Sequence, residues 1–231
     1  MPEQQSIQQL TAREIYGLAY AACHEGADSR PVLGCVLIDE GRLIAADGFR
    51  MHIIHHAPTW DDWAAIHYRR FAGHDIPPDP PSPDLWPCVY PFNDWVGARH
   101  HYPNYKAVID HPVHAVAEMP FADVMAAMTR SYRNPLSTIP FVDIPFDGYP
   151  EKAIDRWNSR AFAVGNIARL QPEFLGDALK YHHRFGRLAD IVYFEALSAD
   201  YAGGGAIRIV TFGMTAYIMP MHIPVKQTDR A

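Results

Sequence analysis

Two apolar runs, residues 32–38 and 43–46, stand on either side of Asp39-Glu40-Gly41, and this stretch restricts the fold more than any other. A Gly-marked turn between two apolar segments of strand length reads as a β-hairpin. The second run continues as Ala46-Asp47-Gly48-Phe49-Arg50-Met51, another Gly-marked turn, which leads back into Ile53-Ile54. Four segments show a helical period instead. The first starts at Thr11 with Thr-Ala-Arg-Glu, a capping-box pattern, and places Ile15, Leu18, Ala19 and Ala22 on one face. The second starts near Thr59-Trp-Asp-Asp, with Trp60, Trp63, Ala64, His67 and Phe71 on one stripe. Pro120 opens the third, with Phe121, Val124, Met125, Met128 and Tyr132 at helical spacing. Pro172 opens the fourth, with Phe174, Leu175, Ala178 and Leu179 facing inward. Between them the pattern predicts short strands at 113–117, 161–167, 191–197, 207–212 and 217–223. The class is α+β.

A length of 231 residues admits one large domain or two smaller ones, and 48% hydrophobic content is enough to pack a core. The formal charge of −6 argues against a chain that coats itself in nucleic acid through overall basicity. Cys23, Cys35 and Cys88 are odd in number and fit no CxxC spacing, so neither a disulfide framework nor a zinc site is expected, and a reducing cytoplasm is the natural compartment. The polar start, Met-Pro-Glu-Gln-Gln, has no signal-peptide character, and no apolar run reaches membrane-spanning length. Residues 76–91 are too rich in proline for a helix or a central strand, because proline lacks an N–H donor. They are expected to form an extended surface loop, either a rigid connector or a polyproline segment for a partner. Tyr201-Ala-Gly-Gly-Gly-Ala reads as a second loop.

Thirteen histidines call for a metal check. His52, His55 and His56 lie close in sequence, as do His100-His101, His111 with His114, and His182-His183. None has HExxH spacing or an accompanying carboxylate in a zinc-ligand pattern, so no metal is expected. P-loop, dinucleotide fingerprint and Gly-x-Ser-x-Gly elbow are also missing from the sequence. No cofactor and no catalytic residue is expected.

The hairpin wording resembles the middle domain of bacterial DNA polymerase III beta sliding clamps, which carries an Arg-x-x-Leu strand, a turn and an Ala-Thr-Asp-Gly-His-Arg-Leu run. Three further stretches resemble that family in the same order. Tyr102-Pro103-Asn104-Tyr105-Lys106-Ala107-Val108-Ile109 is similar to the segment that closes the middle domain. The run from Leu170 to Lys180 is similar to a helix of the last clamp domain, and Ala216-Tyr217-Ile218-Met219-Pro220-Met221-His222-Ile223 resembles the clamp C-terminus. Four collinear motifs are far more specific than one.

The resemblance implies a DNA clamp fold of two domains, 1–110 and 111–231, each with two helices resting on antiparallel sheets. It implies a shortened relative that encircles duplex DNA as a homotrimer, without sequence preference and without catalysis. Basic residues on bore-facing helices would meet phosphate: Arg69 and Arg70, Arg130 and Arg133, and Lys180, His183, Arg184 and Arg187. The same cations also sit in last helical turns, where any soluble protein gains from opposing the helix dipole. The family's groove for peptides of DNA polymerase and clamp loader would fall on Leu33, Gly48, Phe49, Arg50, Met51, Pro103, Val108, Tyr217, Met219 and Pro220. Phe49 stands where the family has His, Tyr217 where it has a smaller aliphatic residue, and Pro31 and Val32 where it has aromatic DNA contacts. Two other readings stay open: a clamp-fold adaptor that binds peptides without closing a ring, and a His-rich metallohydrolase.

Overall fold

A computed structural model of the chain describes residues 10, 12–23, 31–55, 88–90, 102–133, 140–147, 154–155, 160–161, 167–180, 182, 190–198, 205–211 and 213–221. In chain order the first elements are α1 (Ala12–Tyr20), a 3-10 turn (Pro31–Gly34), β1 (Val36–Asp39), β2 (Arg42–Ala46), β3 (Arg50–Ile54) and β4 (Cys88–Tyr90). Next come α2 (Lys106–Ile109), β5 (Val113–Pro120), α3 (Phe121–Tyr132), β6 (Val142–Pro145), β7 (Ile154–Asp155) and β8 (Arg160–Ala161). The last are β9 (Ile167–Leu170), α4 (Pro172–Ala178), β10 (Ile191–Leu197), β11 (Ile207–Thr211) and β12 (Met214–Ile218). The chain forms two compact units: Met1–Pro103 with Thr211–Ala216, and Asn104–Val210 with Tyr217–Ala231.

In the first unit the strands run in the order β4-β1-β2-β3, all antiparallel, with the start of β12 beside β3. The expected hairpin is there. Asp39 pairs with Arg42, so the loop is the two residues Glu40 and Gly41, at φ 50° and 72°. Positive φ at both central positions matches the right-handed twist of the flanking strands, and the glycine adopts it without steric cost. The strand is shorter than its apolar run, however. Residues 31–34 form the 3-10 turn instead, because Pro31 cannot donate to a ladder, and Cys35 N–H closes back onto the Val32 carbonyl at 3.2 Å. Helix α1 packs its Ile15–Leu18–Ala19 face on β2 and β3, and His52 Nδ1 lies 2.7 Å from the Leu18 carbonyl oxygen. Val36, Ile38, Leu43, Ile44, Ala45, Ile53 and Ile54 are all buried, which is why these strands read as continuous apolar runs rather than alternations.

One expectation is corrected in this unit. Residues 88–90, placed in the proline-rich loop, form the strand β4 against β1. Cys88, Val89 and Tyr90 all keep their N–H groups, and β4 stands at the end of the strand order, where flanking prolines do no harm. The second expected helix and residues 76–87 lie outside the described residues, as does Thr11.

The second unit carries β11-β10-β5, antiparallel, with one face buried and one solvated. Along β5, Ala115 and Ala117 point inward while His114, Val116 and Glu118 face out, the period-2 pattern of a half-buried strand. The β5–β10 register slips between Ala196 and Leu197, a bulge. Strand β5 runs through to Pro120, past the expected end at 117, and α3 begins at the next residue. Phe121 N–H extends the sheet by donating to the Asp190 carbonyl at 2.8 Å. Helix α3 then packs on β5, β6 and α4. Phe121 and Val124 are buried, but Met125 and Tyr132 face solvent, so the inward stripe is narrower than the apolar spacing predicts.

Helix α4 starts as expected, with Pro172 at the first helical position, where its missing N–H costs nothing. Leu175, Ala178 and Leu179 face inward, with Phe174 half-buried. The short helix α2 and the β6–β9 pair depart from the expected elements, since each is only four residues long and Pro145 interrupts the apolar alternation of Val142, Ile144 and Phe146. Of the strand placed at 161–167, Ala161 belongs to β8 and Ile167 to β9, and 162–166 lie outside the described residues. The strand placed at 217–223 is shifted to Met214–Ile218, since Gly213 turns the chain at φ 79° and Pro220 cannot continue a ladder.

Candidate functional site

Six of the ten expected groove residues belong to the first unit, and the turn between β2 and β3 carries three of them. Gly48 sits at φ 94°, which side chains rarely adopt. Asp47 organises the turn: its Oδ1 accepts from the N–H groups of Phe49 at 2.8 Å and Arg50 at 2.9 Å. Its Oδ2 takes the Arg50 Nε at 3.0 Å, and its own N–H donates to the Arg50 carbonyl at 3.2 Å. Both side chains of this ion pair are only 10% exposed. Such a carboxylate with three charge-assisted bonds makes the turn rigid. At its tip Phe49 is 64% exposed. Met51 is buried and pairs with Ala46 across the hairpin. Leu33 is buried with Val32 and Cys35, and Tyr102 packs on that cluster, its hydroxyl 3.4 Å from the Ile44 carbonyl oxygen. Burial pushes the Tyr102 phenol well above its usual range and also raises the Cys35 thiol, so both stay neutral. Pro103, beside Tyr102, is exposed.

The other four residues belong to the second unit. Val108 is half-buried on α2. Tyr217 is 4% exposed near the end of β12, Met219 is half-buried just beyond the strand, and Pro220 is buried. This segment is held at both ends. Across β10 and β11, Arg208 faces Glu195 and its Nε donates to the carboxylate. Burial raises the Tyr217 phenol and Arg208 draws it back down. At the far end, Met221 N–H donates to the Arg169 carbonyl at 2.6 Å. Arg169 in turn makes a two-pronged pair with Asp143, at 2.8 and 3.0 Å, and its guanidinium lies 3.6 Å over the Phe141 ring.

Of the expected DNA-contacting cations, Arg130 is exposed in the last turn of α3 and Arg133 is exposed at its C-cap, three residues on. That spacing puts them on one side of the helix end. Lys180 is exposed two residues past α4. Arg69, Arg70, His183, Arg184 and Arg187 lie outside the described residues. Among the described residues no three His, Cys, Asp or Glu side chains gather as metal ligands. His55 Nε2 lies 2.7 Å from Thr215 Oγ1, and the His182 ring lies against Phe121 with centroids 4.3 Å apart. No described helix is long and apolar enough to cross a membrane.

No family model matches the chain, and no curated protein does. Solved structures do. The DNA polymerase III beta subunit of Thermotoga maritima aligns over 93% of this chain with a TM-score of 0.52 at 11% identity. The DNA polymerase sliding clamp of Pseudomonas aeruginosa aligns over 92% with 0.51 at 12%, and the DNA polymerase III beta chain of Streptococcus pneumoniae over 93% with 0.51 at 11%. The chain has the DNA-clamp fold. It spans 64–65% of the length of these three clamps. Within the fold, the groove residues taken from the resemblance come with supports that sequence reasoning missed: Asp47, and the pairs Glu195–Arg208 and Asp143–Arg169. Asp47 was legible as Asp-Gly followed by Arg. The two pairs were not, because each depends on a strand register.

Proposed function

We propose that the chain is a DNA sliding clamp, a polymerase processivity factor that encircles duplex DNA and does no chemistry. The observation that carries this reading is the likeness to sliding clamps over more than nine-tenths of the chain, together with four collinear sequence stretches that resemble the same family. Residues 1–110 then correspond to the middle clamp domain and 111–231 to the last. Two domains per chain make a homotrimer the simplest closed ring of six domains, working in the cytoplasm. Arg69, Arg70, Arg130, Arg133, Lys180, His183, Arg184 and Arg187 supply sequence-independent phosphate contacts. Peptides of DNA polymerase and clamp loader bind Leu33, Gly48, Phe49, Arg50, Met51 and Pro103 of the first unit and Val108, Tyr217, Met219 and Pro220 of the second. The second reading is an adaptor of the same fold that binds peptides without closing a ring. Native mass spectrometry at micromolar concentration decides between them. The mass of three chains is expected, and a monodisperse monomer would overturn the ring.

A further inference from the structure

Four large apolar side chains stand exposed together on the solvated face of the β11-β10-β5 sheet: Val116, Ile191, Tyr193 and Val210. They alternate with the buried Ala115, Ala117, Val192, Phe194 and Ile209, so the pleat itself turns them outward. The open face of such a sheet is ordinarily polar. Here its acidic side chains are Glu195 and Glu118. Glu195 is committed, because Arg208 lies opposite it on β11 and donates Nε to its carboxylate. Glu118 is exposed and pairs across the strands with Tyr193, itself 50% exposed, which sets their Cβ atoms about 5 Å apart. An open aromatic ring beside a carboxylate, with aliphatic side chains around both, has the chemistry to hold a guanidinium. The ring face takes the cation, the carboxylate takes the N–H fork, and the aliphatic rim takes the stem. Strand spacing and rise give the patch a footprint of roughly 10 by 14 Å, far below the roughly 800 Å² per partner of a stable protein interface. A short segment fits that footprint and a folded domain does not. Charge also opposes a second copy of the chain, since a two-fold contact centred on Tyr193 brings two Glu118 carboxylates together.

We propose that this face docks an extended, arginine-bearing segment of a partner protein, with the guanidinium seated between Tyr193 and Glu118. None of these residues is among the peptide contacts assigned above, and the proposal does not depend on that assignment. The test uses the full chain and the fluorescein-labelled peptide Gly-Leu-Ser-Arg-Ser-Val-Gly, whose leucine, arginine and valine share one side when extended. Fluorescence polarisation reads its affinity. The same peptide with citrulline for arginine keeps the shape and loses the charge. The arginine peptide is expected to bind about tenfold more tightly than the citrulline peptide. Glu118→Gln is expected to weaken the arginine peptide by about three- to tenfold and to leave the citrulline peptide as it was. Tyr193→Leu removes the ring and should weaken the arginine peptide to a similar extent, whereas Tyr193→Phe keeps the ring and should bind as wild type does. Both positions are exposed, so thermal midpoints should stay close to that of the wild type. The comparison of the two peptides on wild-type chain needs no variant and holds whatever the substitutions do to the fold. Wild-type chain that ignores the arginine peptide, or binds both peptides equally, would overturn the proposal. So would arginine-peptide binding that neither Glu118→Gln nor Tyr193→Leu diminishes, or self-association of the wild type that Tyr193→Glu abolishes, which would put a second copy on this face.

Discussion

A single carboxylate decides the shape of the turn that displays Phe49. Asp47 accepts two backbone N–H groups and the Arg50 guanidinium, so its removal deletes one ion pair and two backbone bonds of the turn together. Asp47→Ala is expected to cost about 2–3 kcal/mol, read as a lower urea midpoint at an unchanged slope. A change below about 0.5 kcal/mol would mean that solvent already satisfies the turn. His182 works in the opposite sense. Burial against Phe121 lowers its pKa from 6.5, and nearby Asp190 only partly offsets this. The unfolded chain therefore binds the proton more readily than the folded one. The contribution is fully present above pH 6.5, is lost as pH falls below that value, and levels off below the depressed folded pKa. Chemical denaturation at a series of pH values should show stability falling on the acid side of 6.5, with the slope reduced in His182→Gln.

At the scale of elements, α4 contains a glycine that its helix does not need. A Cβ built on Gly176 would meet only the Met128 Cε, at 3.2 Å. That atom ends a flexible side chain and can yield, so the gain in helix propensity should prevail. Gly176→Ala is expected to stabilise the chain by about 0.5 kcal/mol, seen as a raised thermal midpoint, and a lowered midpoint would show that Met128 is locked. The elements differ in how plainly the sequence announces them. The β1–β2 hairpin is readable because Glu40-Gly41 accepts a conformation that few residue pairs tolerate. Helices α3 and α4 are readable because proline stands at each start. Strands β6 and β9 are harder to read, since each is only four residues long and Pro145 ends the first, so their alternation is too brief to stand out. The tail strand is misplaced from sequence because Tyr217-Ile218-Met219 stays apolar past the point where pairing stops. Of the candidate site, the Asp47–Arg50 turn is local and visible in part. The arginine–carboxylate pairs behind Tyr217 and Met221 are long-range and leave no trace in spacing.

For the molecule as a whole, electrostatics and chain order carry the consequences. A net charge of −6 opposes DNA on average, so affinity must come from cations placed locally. Binding of duplex DNA should be indifferent to sequence and fall steeply with salt. The double change Arg130→Ala with Arg133→Ala should flatten the logarithmic salt dependence by about one unit for each phosphate left without its cation. An unchanged slope would remove the end of α3 from the DNA path.

The first unit draws residues Thr211–Ala216 from the far end of the sequence, and this ties its assembly to the tempo of synthesis. When Pro103 leaves the ribosome, the partner for the β3 edge has not been made. At roughly 5–20 residues per second it emerges about 5–20 s later. Throughout that interval a nascent sheet offers an open edge to any neighbouring chain. Nascent copies held close together on one messenger would be the first to exploit it, so slow translation of the second half should favour swapped assemblies over correctly closed chains.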